Sequence, residues 1–228
     1  MRKTVAALLV ALLATVSTAC VVPPAPGPAV PVPIVFVHGY ISDAYSWHAF
    51  VDTYRAEGTP ANQLWAWQYD TVNQSNEVTA EQLGHYVDDV LAATGATKVD
   101  LVSHSMGSLN ARWCVKFGSC EGKVRRFVSL AGANHGTAVA TACYTLWQVI
   151  TCAEMSPGSP FLATLNAAPE LPAGPTWYTL WSANDGVIVP ASSTPFDGAT
   201  NFTIDPSLDH LELLVDPGVI TQVKNLLA

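Results

Sequence analysis

The chain has 228 residues, of which 10 are basic and 18 acidic, so its formal net charge at pH 7 is −8. Half of the residues are hydrophobic and 12% are charged. An acidic balance of this kind argues against a protein that binds nucleic acid. Neutral or apolar partners are easier for such a chain to accommodate than strongly anionic ones.

The first 19 residues have the pattern of a secretory signal. Arg2 and Lys3 precede an apolar stretch from Val5 to Val16, and small residues follow at 17–19. The apolar stretch is short and soon meets prolines, which disfavours a transmembrane helix. Removal of residues 1–19 would leave eight basic and eighteen acidic residues, a net charge of about −10. We therefore expect an exported, extracellular protein.

Residues 20–32 form a proline-rich tether in front of the remaining chain. Between Val21 and Pro33 there are six prolines, a composition typical of a semi-rigid linker. Cys20 follows Thr-Ala as in a lipoprotein signal, but Ser17 stands where leucine is usual. Two forms stay open, a freely secreted protein and one that carries a lipid anchor on Cys20. Residues 33–228 have the length of one domain with a sizeable core.

The first part of this domain alternates predicted strands with predicted helices. Short apolar stretches predict strands, and apolar residues at helical spacing predict amphipathic helices. Asp43 is the predicted cap of the first helix, and Asn76 or Thr79 that of the second. In chain order the predicted elements are a strand at 34–37, a helix from Asp43 to about Glu57, a strand at 64–69 and a helix to about Ala93.

The stretch from Val99 to Leu109 carries the strongest chemical signal. It reads as a buried strand that leads directly into a helix over Met106–Phe117. Between them Ser103-His104-Ser105-Met106-Gly107 is a near match to the G-x-S-x-G nucleophile elbow. Such a turn projects the central serine above the sheet edge, and the helix N-terminus favours negative charge beside it. Ser105 is the predicted nucleophile.

The second half continues the same alternation around one interruption. Residues 137–175 hold several prolines and two possible short helices, near 140–150 and 160–165. The chain as a whole predicts a mostly parallel α/β sheet with helices on both faces, and functional groups at the carboxyl ends of its strands. The remaining predicted elements are strands at 124–130, 176–182 and 201–204, and a terminal helix from Pro217 capped by Asp216.

Four cysteines follow the signal, and four allow three pairings. Local pairing of Cys114 with Cys120 and of Cys143 with Cys152 is favoured in an oxidising compartment. The sequence has no C-x-x-C pair or histidine cluster beside them, so we predict neither a zinc site nor a catalytic cysteine.

A serine nucleophile needs a base and an acid that orients the base. His210 follows the last predicted strand and comes after Ser105 and an acid, which makes it the predicted base. Asp185, in the strand-end turn Asn184-Asp185-Gly186, is the predicted acid. Asp205 and Asp209 are the alternatives, although both lie close to His210 in sequence.

The other histidines have weaker claims. His135 also follows a strand end and is the main rival of His210, but it precedes the plausible acids. His38 is predicted to shape the oxyanion loop, and His104 to point away from Ser105. The predicted oxyanion donors are the backbone N–H groups of Tyr40 and Met106.

Taken together, four motifs of the chain resemble the small secreted bacterial lipases of the α/β-hydrolase superfamily. The motifs are Ile34–Tyr40, Val102–Gly107, Asn184–Ile188 and Asp209–Leu211. The resemblance covers residues 33–228. It implies an α/β-hydrolase fold, a Ser105–Asp185–His210 triad with oxyanion donors on Tyr40 and Met106, and hydrolysis of carboxylic esters such as acylglycerols without a cofactor. Larger relatives bind calcium through Asp residues, but this sequence shows no matching ligand set, so we predict no metal site. The chain departs from the pattern at Ser103, where glycine or alanine is usual, and in its disulfide-bearing insert at 137–175.

The insert is also where the sequence predicts substrate contacts. Tyr144, Leu146, Trp147 and Phe161 could line an apolar acyl groove, and they could equally be the core of the insert. Two other functions stay open: an acyltransferase with the same triad, and a non-catalytic secreted binding protein on a hydrolase fold. We expect a monomer that acts on a lipid or another apolar ester.

Overall fold

The computed structural model describes residues 31–204 and 207–228. The predicted signal at 1–19, the anchor position Cys20 and most of the tether at 20–32 lie outside the described residues. The described residues form a six-stranded sheet in the order β2-β1-β3-β4-β5-β6, and all its neighbouring strands are parallel. In chain order the strands are Ile34–Val37 (β1), Leu64–Trp67 (β2), Val99–His104 (β3), Val124–Leu130 (β4), Thr176–Trp181 (β5) and Thr200–Thr203 (β6).

Helices cover both faces of this sheet, as the sequence predicts. Alternation along β1 shows why: Val35 and Val37 pack on one face, and Ile34 and Phe36 on the other. Each apolar side chain buried in this way contributes about 1.5–3 kcal/mol. The helices are His48–Ala56 (α1), Asn76–Thr94 (α2), Gly107–Phe117 (α3), Ala138–Trp147 (α4), Ile150–Met155 (α5), Pro160–Leu165 (α6) and Pro217–Leu227 (α7).

Two helix starts differ from the prediction. The cap of α2 is Ser75, whose hydroxyl accepts from Val78 N–H, whereas we predicted Asn76 or Thr79. Asn76 has another partner, because its backbone and side-chain N–H groups both donate to Glu154 Oε2. Asp43 caps a short 3-10 turn that precedes α1 instead of capping α1 itself. Asp216 caps α7, as predicted.

The insert at 137–175 contains three helices, α4, α5 and α6, where the sequence predicts two. The first predicted helix is interrupted after Trp147, where Gln148 takes a left-handed conformation with φ 54° and ends α4. The predicted disulfides Cys114–Cys120 and Cys143–Cys152 are both present. Cys143–Cys152 links α4 to α5, and it therefore holds the interrupted segment together.

Among the described residues, no helix has the length and apolar character needed to cross a bilayer.

Candidate active site

Ser105 lies in a strained turn between β3 and α3. Its φ is 55°, a left-handed backbone conformation that residues other than glycine rarely adopt. Backbone hydrogen bonds hold this turn: Ser105 N–H donates to Leu130 O at 3.0 Å, and its carbonyl accepts from Ser108 and Ala133. Strain of this kind concentrates at functional turns and persists because the surroundings fix it.

The small residues of the elbow are needed because backbones approach closely there. A Cβ on Gly107 would lie 2.3 Å from the carbonyl oxygen of His38, so α3 can begin against the end of β1 only with glycine. Ser103 stands where glycine or alanine is usual, and polar contacts accommodate its hydroxyl. Its hydroxyl lies 2.9 Å from Ser108 Oγ and donates to Val128 O at 3.2 Å.

His210 and Asp185 form a buried pair beyond the ends of the last two strands. His210 Nδ1 lies 2.8 Å from Asp185 Oδ2, while Asp185 Oδ1 accepts from the backbone N–H groups of Val187 and Ile188. Burial alone would raise the pKa of Asp185, but these hydrogen bonds and the charge of His210 lower it below its ordinary value. An ionised carboxylate accepts only, so His210 Nδ1 carries a proton, and in the neutral form of the ring Nε2 is then an acceptor.

Among the alternative acids, Asp209 has a different task. Its Oδ1 accepts from the backbone N–H groups of Leu211 and Glu212, which fixes the turn after His210. Asp205 lies outside the described residues.

The two predicted oxyanion donors flank Ser105. Tyr40 follows β1 and lines the same cavity as Ser105, and Met106 follows Ser105 directly and is fully buried. Within the described part of the chain, neither backbone N–H donates to a protein acceptor.

A cavity of about 300 Å³ opens at Ser105, and its walls are almost entirely apolar. The insert forms much of the wall, including the Cys143–Cys152 disulfide. Of the four predicted substrate contacts, Leu146 and Trp147 line this cavity. Tyr144 lies on an exposed face, and Phe161 is buried in the core, stacked on Trp113 with ring centroids 4.8 Å apart. The residues that line the cavity with Ser105 include Tyr40, Val139, Leu146, Trp147, Met155 and Ile188.

His104 has a contact that the sequence did not indicate. Its Nε2 lies 3.0 Å from the backbone carbonyl of His210, and the two rings pack with centroids 4.5 Å apart. Burial lowers the pKa of His104 to about 3, so its ring is neutral. The sequence prediction was that His104 points away from Ser105, and it gave no sign of this contact with the loop of His210.

The remaining strand-end histidines have structural partners. His38 bonds through Nδ1 to Gly39 O at 3.0 Å and stacks on Tyr69, in line with the expectation that it shapes this loop. His135 pairs with Glu170 at 2.8 Å, and this hydrogen bond raises the pKa of His135. Across residues 31–204 and 207–228, no group of three His, Cys, Asp or Glu side chains could hold a metal ion.

The parallel sheet with helices on both faces, and the strained serine turn after β3, define an α/β-hydrolase fold. Comparison with protein families gives the family: the sequence profile described as "Lipase (class 2)" matches residues 31–211. The chain belongs to the class 2 lipase family.

Individual relatives match only parts of the chain. A 118-residue stretch is 27% identical to a triacylglycerol lipase of Pseudomonas fragi and covers 49% of this chain and 40% of that one. A 33-residue stretch is 64% identical to a triacylglycerol lipase of Pseudarthrobacter phenanthrenivorans and covers 14% of this chain and 10% of the relative. The matches thus span less than half the length of these curated relatives.

Solved structures match more of the chain at low identity. Lipase BlEst2 of Bacillus licheniformis, in its mature form, superposes with a TM-score of 0.70 and 19% identity, covering 90% of this chain and 95% of that one. Lipase B of Aspergillus fumigatus superposes with a TM-score of 0.69 and 17% identity over 83% and 51% of the two chains. At these identities the likeness establishes the fold.

Proposed function

We propose that this protein is a secreted serine carboxylic-ester hydrolase, a lipase or esterase that acts on acylglycerols or similar apolar esters. The observation that carries the proposal is the 2.8 Å hydrogen bond between His210 Nδ1 and Asp185 Oδ2 at the sheet edge where Ser105 opens into an apolar cavity. Family membership supports the same reaction class.

The chemistry follows from the proton positions. His210 Nε2 takes the proton of Ser105 Oγ as this oxygen attacks the ester carbonyl carbon, and Asp185 stabilises the imidazolium that forms. The backbone N–H groups of Tyr40 and Met106 stabilise the negative oxygen of the tetrahedral intermediate. Cleavage of the C–O bond leaves an acyl group on Ser105, and the alcohol departs with the proton from His210. Water then attacks with His210 as base, and the carboxylic acid is released.

The cavity walls support an apolar acyl group as the part of the substrate that is bound. Side chains such as Met155 and Ile188 have no polar group to offer, so burial of hydrocarbon supplies the binding free energy. Leu146 and Trp147 continue the apolar wall to the exterior. An apolar acyl chain therefore has a continuous path from the surface to Ser105.

The predicted signal at 1–19 is the main support for secretion. The two disulfides agree with it, because such bonds persist in oxidising compartments. Either form left open by the sequence, free or anchored at Cys20, would expose the enzyme to extracellular esters.

The decisive experiment measures hydrolysis of p-nitrophenyl esters from acetate to palmitate. We expect Ser105→Ala and His210→Ala to lower kcat/KM at least about a thousandfold, and Asp185→Ala somewhat less. His135→Gln is the matched control, because His135 lies beyond β4 at the same sheet edge but pairs with Glu170. It should keep most of the activity. Equal rates for the wild type and Ser105→Ala would contradict the proposed function.

A further inference from the structure

The turn that carries the proposed oxyanion donor Tyr40 contains a strained residue. Ile41 has a φ of 48°, and a β-branched side chain is seldom found in this left-handed region. Ile41 is also 74% exposed, so packing of its own side chain does little to hold the conformation. The turn nevertheless lies directly against the nucleophile, since a Cβ on Gly39 would approach Ser105 Cβ to 2.8 Å. Some other contact must fix it.

Thr71 supplies that contact from the segment after β2. Its side-chain Oγ1 accepts a hydrogen bond from Ile41 N–H at 3.0 Å. Thr71 is buried, and its own carbonyl accepts from the hydroxyl of Thr151, a buried residue of α5, at 3.2 Å. The segment that carries the acceptor is therefore bound to the insert.

The segment after β2 also binds the start of the turn, at His38. The hydroxyl of Tyr69 donates to the carbonyl of His38, and Asn110 donates to that hydroxyl at 3.1 Å. Tyr40 thus lies between two anchored peptide groups, one bound through Tyr69 and one through Thr71. An N–H group stabilises a developing oxyanion only if its direction is fixed before the reaction.

We propose that Thr71 is a positioning residue for ester hydrolysis, whose hydroxyl oxygen holds the strained Tyr40–Ile41 turn so that Tyr40 N–H points at the oxyanion. This role rests on the proposed function. Thr71 has no contact with the reacting atoms; it acts through Ile41. Its loss should therefore weaken binding of the transition state while leaving binding of the acyl chain in the cavity nearly unchanged.

The test compares Thr71→Val, which keeps the shape and removes the acceptor, with Thr71→Ser, which keeps a hydroxyl. With p-nitrophenyl butyrate we expect Thr71→Val to lower kcat by about 10- to 100-fold with little change in KM, and Thr71→Ser to restore most of the loss. The inhibition constant of an alkylboronic acid, which forms a tetrahedral adduct on serine, should rise by about the factor by which kcat/KM falls.

A second arm tests the strain itself. Ile41→Asn keeps the N–H and tolerates a left-handed backbone, so the turn should depend less on Thr71. Thr71→Val should then cost clearly less kcat in the Ile41→Asn background than in the wild type. This comparison also tests the role of Thr71 if the Thr71→Val variant alone folds poorly. Thermal unfolding of every variant shows whether it is folded.

Three results would overturn the role of Thr71. They are an unchanged kcat in Thr71→Val, a loss equal in both Ile41 backgrounds, and an unchanged boronic acid inhibition constant despite a lower kcat/KM. In each of them an active wild type and an inactive Ser105→Ala would leave the proposed function intact. A wild type without esterase activity would contradict the proposed function, and this role with it.

Discussion

His104 shows how a buried side chain next to the proposed nucleophile Ser105 can support a candidate site without lining its cavity. A carbonyl oxygen only accepts, so the 3.0 Å contact with His210 O requires a proton on His104 Nε2. Because burial lowers the pKa of His104 to about 3, one tautomer of the neutral ring is fixed over the whole range in which the enzyme would work. The ring thereby holds the backbone that carries His210.

We expect His104→Leu to lower the free energy of unfolding by about 1–3 kcal/mol, because the buried carbonyl of His210 loses its donor. The rate of p-nitrophenyl butyrate hydrolysis should fall as well. Urea unfolding at pH 7 measures the first effect and a steady-state assay the second. His104→Gln, which retains a side-chain N–H, should lose less of both. Equal stability of His104→Leu and the wild type would show that the bond contributes nothing.

The candidate residues that the sequence can propose are those that local sequence marks. Ser105, Asp185 and His210 each follow a strand end in a turn-forming sequence, and strand ends of a parallel sheet meet at one edge. The contact of His104 could not be predicted in this way, since its partner lies 106 residues further along the chain. Phe161 illustrates the same limit, because its spacing does not reveal whether an aromatic ring faces a cavity or Trp113.

At the level of elements, one buried cation ties the insert to α3. Arg112 is fully buried in α3 and pairs with Glu170 at 3.2 Å, while its guanidinium lies 4.8 Å from the centroid of the Phe196 ring. Glu170 also binds His135 at 2.8 Å. A buried arginine without such partners would be strongly destabilising. Because Glu170 belongs to the insert, its pairing with Arg112 fixes the insert against α3, where the insert can form the cavity wall.

The pair of His135 and Glu170 predicts a pH dependence of stability. The hydrogen bond to Glu170 raises the pKa of His135, so this contribution is fully present below about pH 6.5 and is lost as the pH rises through the folded pKa. Burial opposes the lowered pKa of Glu170, but hydrogen bonds and charges from His135, Asp197 N–H and Arg112 outweigh it. That contribution is present above about pH 4.5 and is lost as the pH falls through the folded pKa.

Thermal unfolding of His135→Gln across pH 5 to 9 measures the effect. The wild type should exceed the variant in Tm most near pH 5.5, by a few degrees at most because His135 is 37% exposed, and the difference should shrink above pH 6.5. His85→Gln, an exposed histidine of α2, is the matched control. A Tm difference that is constant with pH would contradict the assignment.

Secondary structure could be predicted where one physical rule acts alone. The bounds of β1 and β4 agree with the sequence prediction, because each buried strand ends where a glycine-containing turn begins. The insert could not be predicted as well. Gln148 ends α4 in a left-handed conformation that glutamine does not signal, and the disulfide Cys143–Cys152 holds the chain in that course. Tertiary constraints there outweigh local preference.

On the scale of the whole molecule, exposed apolar side chains gather at the mouth of the cavity. Leu146 and Trp147 are 69% and 68% exposed, and both also line the cavity at Ser105. Large exposed apolar residues that adjoin a binding cavity usually serve an interaction. The net charge is −8 for the whole chain and about −10 without residues 1–19. We therefore expect the protein to bind an uncharged lipid droplet better than an anionic membrane.

We therefore expect the double variant Leu146→Ser/Trp147→Ser to lose activity mainly on emulsified substrate. Because each side chain would bury apolar area in the droplet, the ratio of the rate on emulsified trioctanoylglycerol to the rate on dissolved p-nitrophenyl acetate should fall at least about tenfold. Phe117→Ser is the matched control: this half-exposed aromatic residue ends α3, at the opposite end of the sheet from Ser105. It should leave the ratio unchanged. An equal loss on both substrates would mean that the two residues serve the cavity and not the droplet.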